Sequence, residues 1–209
     1  MAWFVSITCI GGVFYGYDSS MIGVAQLYFY DDWADITAAE IAIIVSIQMI
    51  GGAIGALVSG TISDRFGRRP IIMNAAFTYS VGSFMMAISP SINYLMLGRF
   101  ILGLSTGCIH QIVPLYLSEM APIEIRGRLV ATYVMMITIS QFCSTILGLI
   151  LEPHWRWMYG WIIFLSAAYS ICLYFLPESP RWLGKEGYRE EQLKVIQKIY
   201  KPEYVNSIN

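Results

Sequence analysis

Two ionisable side chains, one acidic and one basic, lie deep inside apolar stretches of this sequence. Asp18 lies about ten residues before the end of its stretch and Arg99 about seven residues after the start of another, so as helical residues both lie roughly 10–15 Å below the same bilayer surface. A lone charge at that depth costs several kcal/mol, so we expect the acid and the base to be buried together. The pair predicts a site where protonation of Asp18 is coupled to conformation. The alternative is a static ion pair that only fixes helix packing.

Two uncharged polar side chains occupy similar stretches. Gln141 lies about twelve residues into its stretch, near the midplane, and its carboxamide offers donors and acceptors that match the hydroxyls of a sugar or polyol. The alternative role for Gln141 is a hydrogen bond between helices. His110 follows Arg99 by about three helical turns, so both lie on one helix face. His110 either titrates or contacts substrate, or it is a packing residue with satisfied hydrogen bonds.

The composition indicates that lipid, and not water, surrounds much of the chain. Of the 209 residues, 56% are hydrophobic and 13% are charged, and the mean hydropathy is +0.58. Soluble domains carry about 25% charged residues, so a chain this apolar requires lipid around it. The formal net charge of -1 provides no basic field, which excludes nucleic acid as a partner.

Six apolar stretches are long enough to cross a bilayer as helices, because a span needs about 20 mostly apolar residues. They are continuous and are separated by charge clusters, prolines and glycines. We therefore predict an all-α membrane protein with six transmembrane helices. The predicted spans are Trp3–Phe29, Ile41–Ser63, Ile71–Ser89, Ile92–Ser118, Leu129–Leu151 and Met158–Leu176.

Glycines recur at small-xxx-small spacing in the second and fourth spans. This spacing is typical of membrane helices whose backbones approach closely. Static bundles use it as readily as helices that rock, so it does not by itself indicate transport. The glycines are Gly51, Gly52, Gly55 and Gly60 in the second span and Gly103 and Gly107 in the fourth.

The distribution of lysine and arginine predicts the orientation. Basic residues concentrate after the second, fourth and sixth spans, whereas the opposite loops are mostly acidic. By the positive-inside rule, both termini lie in the cytoplasm. The residues after Gly187 have the pattern of an amphipathic surface helix that ends at Pro202. We divide the chain into a transmembrane domain at 1–183 and the start of a cytoplasmic helical linker at 184–209.

Two of the predicted cytoplasmic loops carry charges suited to a gate. The loop at 63–70 reads Ser-Asp-Arg-Phe-Gly-Arg-Arg-Pro, and its arginines can donate paired hydrogen bonds to carboxylates and helix carbonyls. The junction at 114–127 contains Glu119 and Arg126, which can pair with neighbouring helix ends. Such a network would hold the cytoplasmic side shut in one state and break in the other. The alternative is that these charges fix topology only.

These motifs, in this order, resemble the major facilitator superfamily, and within it the sugar porter family. The superfamily's signature loop is similar to Asp-Arg-Phe-Gly-Arg-Arg at 64–69. Gln141 falls where the sugar porters' fifth-helix glutamine binds sugar. The other similar stretches are Gly-Tyr-Asp at 16–18, Gly-Arg-Phe at 98–100, the Pro-x-Tyr-x-x-Glu-x-x-Pro-x-x-x-Arg-Gly run at 114–127, and Pro-Glu-Ser-Pro-Arg-Trp-Leu at 177–183.

The resemblance implies a two-half fold in which each half is a 3+3 inverted repeat and substrate binds between the halves near the midplane. The chain corresponds to the first six-helix half of this major facilitator fold. An aspartate at position 18 is associated with proton symport in the family, and the stretch at 23–32 is most similar to its proton-coupled inositol branch. His110 departs from the small residue expected there. The resemblance and the charge pattern together assign Asp18 and Arg99 to proton coupling, Gln141 to substrate binding, and Asp64, Arg65, Gly67, Arg68, Arg69, Glu119, Arg126, Gly127, Glu178 and Arg181 to the cytoplasmic gate.

The expected function is transport of a sugar or polyol, a hexose or an inositol, by proton symport with alternating access. No phosphate-binding loop and no intramembrane set of metal ligands occurs in the sequence, so we expect no cofactor, no metal and no enzyme activity. A half facing lipid would leave polar residues unsatisfied, so we expect it to be inactive alone. The missing C-terminal half or a second copy would complete the cavity; a non-transporting sensor of the same fold is the alternative. The plasma membrane is the expected location.

Overall fold

The apolar stretches fold as helices because each helix satisfies its own backbone hydrogen bonds inside lipid. A computed structural model describes residues 2–199, and within that range it contains helices and no strand. A short 3₁₀ turn, Gln26–Tyr28, follows the second helix. The helices are α1 (Ala2–Cys9), α2 (Gly11–Ala25), α3 (Phe29–Asp32), α4 (Ala38–Phe66), α5 (Arg68–Ala87), α6 (Ile92–Met120), α7 (Arg126–Ile150), α8 (Trp155–Gly160), α9 (Ile162–Tyr174), α10 (Pro180–Lys185) and α11 (Arg189–Ile199).

The six predicted spans correspond to α1–α2, α4, α5, α6, α7 and α8–α9, but their helices differ in length and continuity. Of the described helices, α4, α6, α7 and the α8–α9 segment are long and apolar enough to cross a membrane. The first predicted span is divided at Ile10 into α1 and α2, each of which is too short to cross a membrane by itself. α5 has 20 residues but is not counted with these helices, because Asn74 and two serines, as well as Arg68 and Arg69, lower its hydropathy.

The junction between α4 and α5 is shorter than expected. The sequence predicts a loop at 63–70, whereas the structure continues α4 to Phe66 and begins α5 at Arg68. The single connecting residue, Gly67, has φ +97°, which a glycine adopts without steric cost. One left-handed residue reverses the chain there, so the arginines predicted in a loop lie on helix ends instead.

Glycines bring α4 and α6 into backbone contact. A Cβ at Gly55 would lie 2.2 Å from the carbonyl oxygen of Leu104, and one at Gly107 would lie 2.1 Å from that of Gly52. The predicted close approach is therefore confirmed at these positions. Gly60 is different, since nothing lies within 4 Å of its added Cβ.

The segment after the last span folds back on the bundle. Ser179 caps α10 by accepting a hydrogen bond from the Trp182 backbone N–H at 3.4 Å. α10 runs across residue 183, where the sequence analysis divided the chain. α11 buries Val195 and Ile196 and exposes most of its other described side chains, as an amphipathic helix does. Its predicted end at Pro202 lies outside the described residues.

Candidate functional site

Asp18 on α2 and Arg99 on α6 meet in the interior of the bundle. Both side chains are 0% exposed, and Nη1 of Arg99 donates to Oδ1 of Asp18 at 2.9 Å. The expected pairing of the two charges at matching depth is therefore present. Because both side chains are fully buried, each charge depends on the other, since an unpaired ion at this depth is costly.

Gln48 on α4 joins the pair, and the sequence analysis did not identify it. Its Oε1 accepts a hydrogen bond from Nη1 of Arg99 at 2.6 Å, and its Nε2 donates to Oδ2 of Asp18. The signal was available, since Gln48 is the one carboxamide in the predicted span Ile41–Ser63. The triad ties α2, α4 and α6 together through one hydrogen-bonded cluster.

Among the described residues, the guanidinium of Arg99 donates hydrogen bonds through Nη1 alone. Its Nε and Nη2 have no hydrogen-bond partner among the described residues. The Cζ of Arg99 lies 5.9 Å from the centroid of the Tyr159 ring, whose buried hydroxyl also lacks a partner in that part of the chain. The hydroxyl of Tyr79 on α5 is also buried and has no hydrogen-bond partner among the described residues. Arg99 thus retains unused donors on the side away from Asp18.

A cavity of about 430 Å³ opens beside the triad, within the usual size range of small-molecule sites. Gln48 belongs both to the triad and to the cavity wall, so the wall and the buried pair share one side chain. Gln141 lies next to the cavity, where its Nε2 donates to Oγ of the wall residue Ser19 at 3.1 Å. The other polar wall residues are Tyr15, Thr106, His110 and Gln111.

His110 lies on the cavity surface and not in the packed core. Its side chain is exposed, its ring stacks on Tyr15 with 4.6 Å between ring centroids, and Nδ1 lies 3.2 Å from the Tyr133 hydroxyl. These contacts fix the ring from two sides. This position fits both predicted roles of His110, since the ring is packed and hydrogen-bonded and also borders the cavity.

A second polar cluster surrounds Arg68 at the α4–α5 junction. Its Nη2 donates to Oδ1 of Asp64 at 2.8 Å and to Oε1 of Glu119 at 3.2 Å, while Nη1 donates to the Ser63 carbonyl at 3.0 Å. The hydroxyl of Ser179 donates to Oε2 of Glu119 at 2.5 Å. The cluster therefore connects α4, α5, α6 and the start of α10.

Glu178 caps the start of α5. Its Oε1 accepts from the backbone N–H groups of Arg68 at 2.9 Å and Arg69 at 3.2 Å, which are free donors at a helix N-terminus. Burial raises the pKa of the Glu178 carboxyl, and these N–H donors oppose that shift. A Cβ on Gly67 would lie 2.5 Å from Oε2, so a side chain there would displace the capping carboxylate in addition to being strained at φ +97°.

Four of the residues assigned to the gate lie apart from this cluster. Arg65 is exposed, with its Cζ 5.5 Å from the ring centroid of Phe66. Arg126, Gly127 and Arg181 are also exposed, and no ion pair of the described residues includes any of the three arginines. Asp64, Gly67, Arg68, Arg69, Glu119 and Glu178 are the predicted gate residues that the structure brings together.

The opposite end of the bundle has an ion pair that the sequence analysis did not single out. Asp32 Oδ2 accepts from Arg156 Nη1 at 2.5 Å and from the indole N–H of Trp155 at 2.7 Å. Arg156 Nη2 also donates to the Ser89 carbonyl at 3.1 Å. The side chains of Arg156 and Asp32 are 40% and 31% exposed, so this pair is partly solvated, unlike Asp18 and Arg99.

Comparison with known proteins identifies the family. A family model described as "Sugar (and other) transporter" matches residues 4–207. The chain belongs to this sugar transporter family. This family member is accordingly a multi-pass membrane protein of a transporter family and not an enzyme.

The curated relatives of this sugar transporter family member are longer than the chain itself. It is 37% identical over 199 residues to the proton myo-inositol cotransporter hmit-1.1 of Caenorhabditis elegans, covering 91% of this chain and 33% of the relative. It is 38% identical over 192 residues to the glucose transporter GlcP of Staphylococcus epidermidis, covering 91% and 43%. The chain therefore spans less than half the length of these relatives.

A solved structure shows the fold. The xylose transporter XylE from E. coli, in a partially occluded inward-open conformation, superposes with a TM-score of 0.88 over 98% of this chain and 56% of XylE, at 23% identity. The predicted six-helix half of a major facilitator fold is confirmed.

Proposed function

We propose that this chain forms the N-terminal half of a proton-coupled transporter for a sugar or polyol that works by alternating access. The observation that carries the proposal is the fully buried pair of Asp18 and Arg99, bridged by a glutamine that also lines a cavity. A proton and a neutral solute can therefore act on neighbouring parts of one cluster.

Proton coupling follows from the one-sided bonding of Arg99. When Asp18 is protonated, its attraction for the guanidinium weakens, and Arg99 can turn its unused donors toward Tyr159. Gln48 contacts both charges, so the change reaches the cavity wall directly. Protonation would then shift the equilibrium between the two states of the transporter.

The substrate class follows from the uncharged polar groups of the wall. Ser19, Gln48 and Gln111 offer hydroxyl and amide groups, and Gln141 is within hydrogen-bond distance of Ser19. Such groups suit a neutral polyhydroxylated solute, a hexose or an inositol. The relatives, a proton myo-inositol cotransporter and a glucose transporter, support the same class.

The cluster around Arg68 would act as the gate at the cytoplasmic end. It joins two helix ends to the segment after the last span, so breaking it would let that end open. The excess of arginine there supports a cytoplasmic location for this end and for both termini. The exposed Arg65, Arg126 and Arg181, and Gly127 next to Arg126 in the sequence, would enter the network only in another state of the gate.

The cavity needs a second wall, which we assign to a C-terminal six-helix half. The cavity wall includes three exposed residues, Met49, His110 and Gln111. Polar groups facing lipid are unfavourable, so a partner half is needed for transport. We further propose the plasma membrane as the location and the segment after residue 183 as the start of a cytoplasmic linker.

The proposal is tested with labelled myo-inositol and glucose on proteoliposomes that contain this chain, with and without an inward proton gradient. We expect weak binding of at least one solute and no accumulation by the chain alone. Accumulation driven by the gradient would show that the chain completes its own cavity by self-association. Absence of binding by folded, inserted protein would contradict the substrate class.

Coupling is tested in the complete transporter that contains this half. Asp18→Asn should abolish proton-driven accumulation while exchange of labelled for unlabelled solute continues, because only the proton-dependent step is lost. Loss of both activities with normal folding would contradict coupling and indicate a static ion pair.

A further inference from the structure

His110 is a fixed polar side chain on the cavity wall that neither the proton site nor the gate uses. Tyr15 stacks on its ring at an interplanar angle of 18°, and the Tyr133 hydroxyl holds Nδ1 at 3.2 Å. A side chain held in this way loses little conformational freedom when it binds a ligand. The support comes from two helices other than its own, α2 and α7.

The second ring nitrogen, Nε2, is the group available to a ligand. Within residues 2–199, the hydrogen bond of the His110 ring is the one that Nδ1 makes with Tyr133. Whichever tautomer that bond selects, Nε2 presents one donor or one acceptor, and a hydroxyl can complement either. The neighbouring wall groups, Ser19 and Gln111, are polar and uncharged.

We propose that His110 is a specificity-determining residue whose Nε2 hydrogen-bonds a hydroxyl of the sugar or polyol, with Tyr15 and Tyr133 as its positioning residues. The inference rests on the proposed transport function and adds a contact on α6 to the one predicted for Gln141 on α7. Two fixed contacts on different helices define the spacing and direction of the hydroxyls they accept. A site of this kind discriminates between stereoisomers through hydrogen bonds that the wrong isomer leaves unmade.

Two substitutions separate this role from a structural one. His110→Gln places an amide group near the position of Nε2, whereas His110→Asn places one near the position of Nδ1. If Nε2 contacts the substrate, the glutamine variant retains most of the affinity for myo-inositol and the asparagine variant loses about tenfold, the effect of one hydrogen bond. If His110 acts only through the contact of Nδ1 with Tyr133, the asparagine variant should instead bind myo-inositol more tightly than the glutamine variant.

The measurement is equilibrium binding of labelled myo-inositol to the chain in nanodiscs, combined with NMR of ¹³C-labelled histidine. The chain has two histidines, so His154→Gln leaves the His110 ring as the single signal. We expect this resonance to shift with millimolar myo-inositol and to stay in place with glycine betaine, a neutral osmolyte without hydroxyls. The binding-competent His154→Gln chain serves as the reference for both His110 variants.

The outcomes distinguish this inference from the proposed function. Binding of myo-inositol with an unmoved His110 resonance, or with equal affinities of the glutamine and asparagine variants, would overturn the role of His110 and leave the proposed function in place. Absence of binding to the unsubstituted chain would overturn both. A shifted resonance together with the predicted order of affinities supports the inference.

Discussion

Replacing Asp18 with asparagine tests how much the buried ion pair contributes to folding. The two side chains are 0% exposed and 2.9 Å apart, so Asp18→Asn leaves the charge of Arg99 uncompensated inside the bundle. Removing one partner of a buried pair costs about 3–5 kcal/mol. In a chain of this length each kcal/mol changes the midpoint of thermal unfolding by about 2–4 °C, so we expect Tm to fall by about 6–20 °C.

The assay is thermal unfolding of the detergent-solubilised chain, followed by tryptophan fluorescence. The matched control is Asp32→Asn, the same chemical change in the partly solvated pair with Arg156. An exposed pair contributes about 0–1 kcal/mol, so we expect Tm of this control to fall by less than about 4 °C. Adding Arg99→Met to Asp18→Asn removes the unpaired charge and should restore part of the lost stability.

Two results would refute this reasoning. An unchanged Tm for Asp18→Asn would mean that the folded chain does not hold a charged carboxylate against Arg99. A double variant less stable than Asp18→Asn would mean that Arg99 is stabilised by its other surroundings and not by the pair.

The remaining predictions concern the gate, the substrate wall and the helix contact. Gly67→Ala should lower the free energy of unfolding by about 1–3 kcal/mol, because alanine is strained at φ +97° and its Cβ would contact the carboxylate that caps α5. The measurement is thermal unfolding. The control Gly127→Ala, where the space is open, should have a Tm close to that of the parent chain. In the complete transporter, Gln141→Ala should raise KM for uptake about tenfold through one lost hydrogen bond, and an unchanged KM would remove this residue from the binding wall. Gly107→Val should block the approach of α6 to α4 and reduce the yield of monodisperse protein on size exclusion, whereas Gly60→Val, with open space around it, should not; equal yields would contradict the backbone contact.

The pairing of Asp18 with Arg99 could be predicted because depth counting needs only the helical rise and the positions of the charges. Gln48 was accessible to the same counting, which identified the amide of Gln141 but was not applied to Gln48. Its role depends on the rotation of α4 about its axis, which the glycine contacts with α6 determine. Sequence spacing alone does not give that rotation.

The partners of the gate residues could not be predicted for a related reason. Arg65 and Arg68 are three residues apart in the sequence, yet Arg65 is exposed and Arg68 is buried against Glu119. The difference arises because Gly67 ends one helix and starts another, so the two arginines lie on helices of different direction. The motif identified the set of charges, and the one-residue turn selects which of them pair.

The cap that Glu178 places on α5 also has a consequence for synthesis. Glu178 lies 110 residues after Arg68, whose backbone N–H donates a hydrogen bond to its carboxylate. A ribosome adds about 5–20 residues per second, so Glu178 is synthesised roughly 5–20 s after the N-terminus of α5. A nascent chain that stops before Glu178 has already made all its predicted spans but leaves these donors unmet. The cap that closes this end of the bundle therefore cannot form before the sixth span has been synthesised.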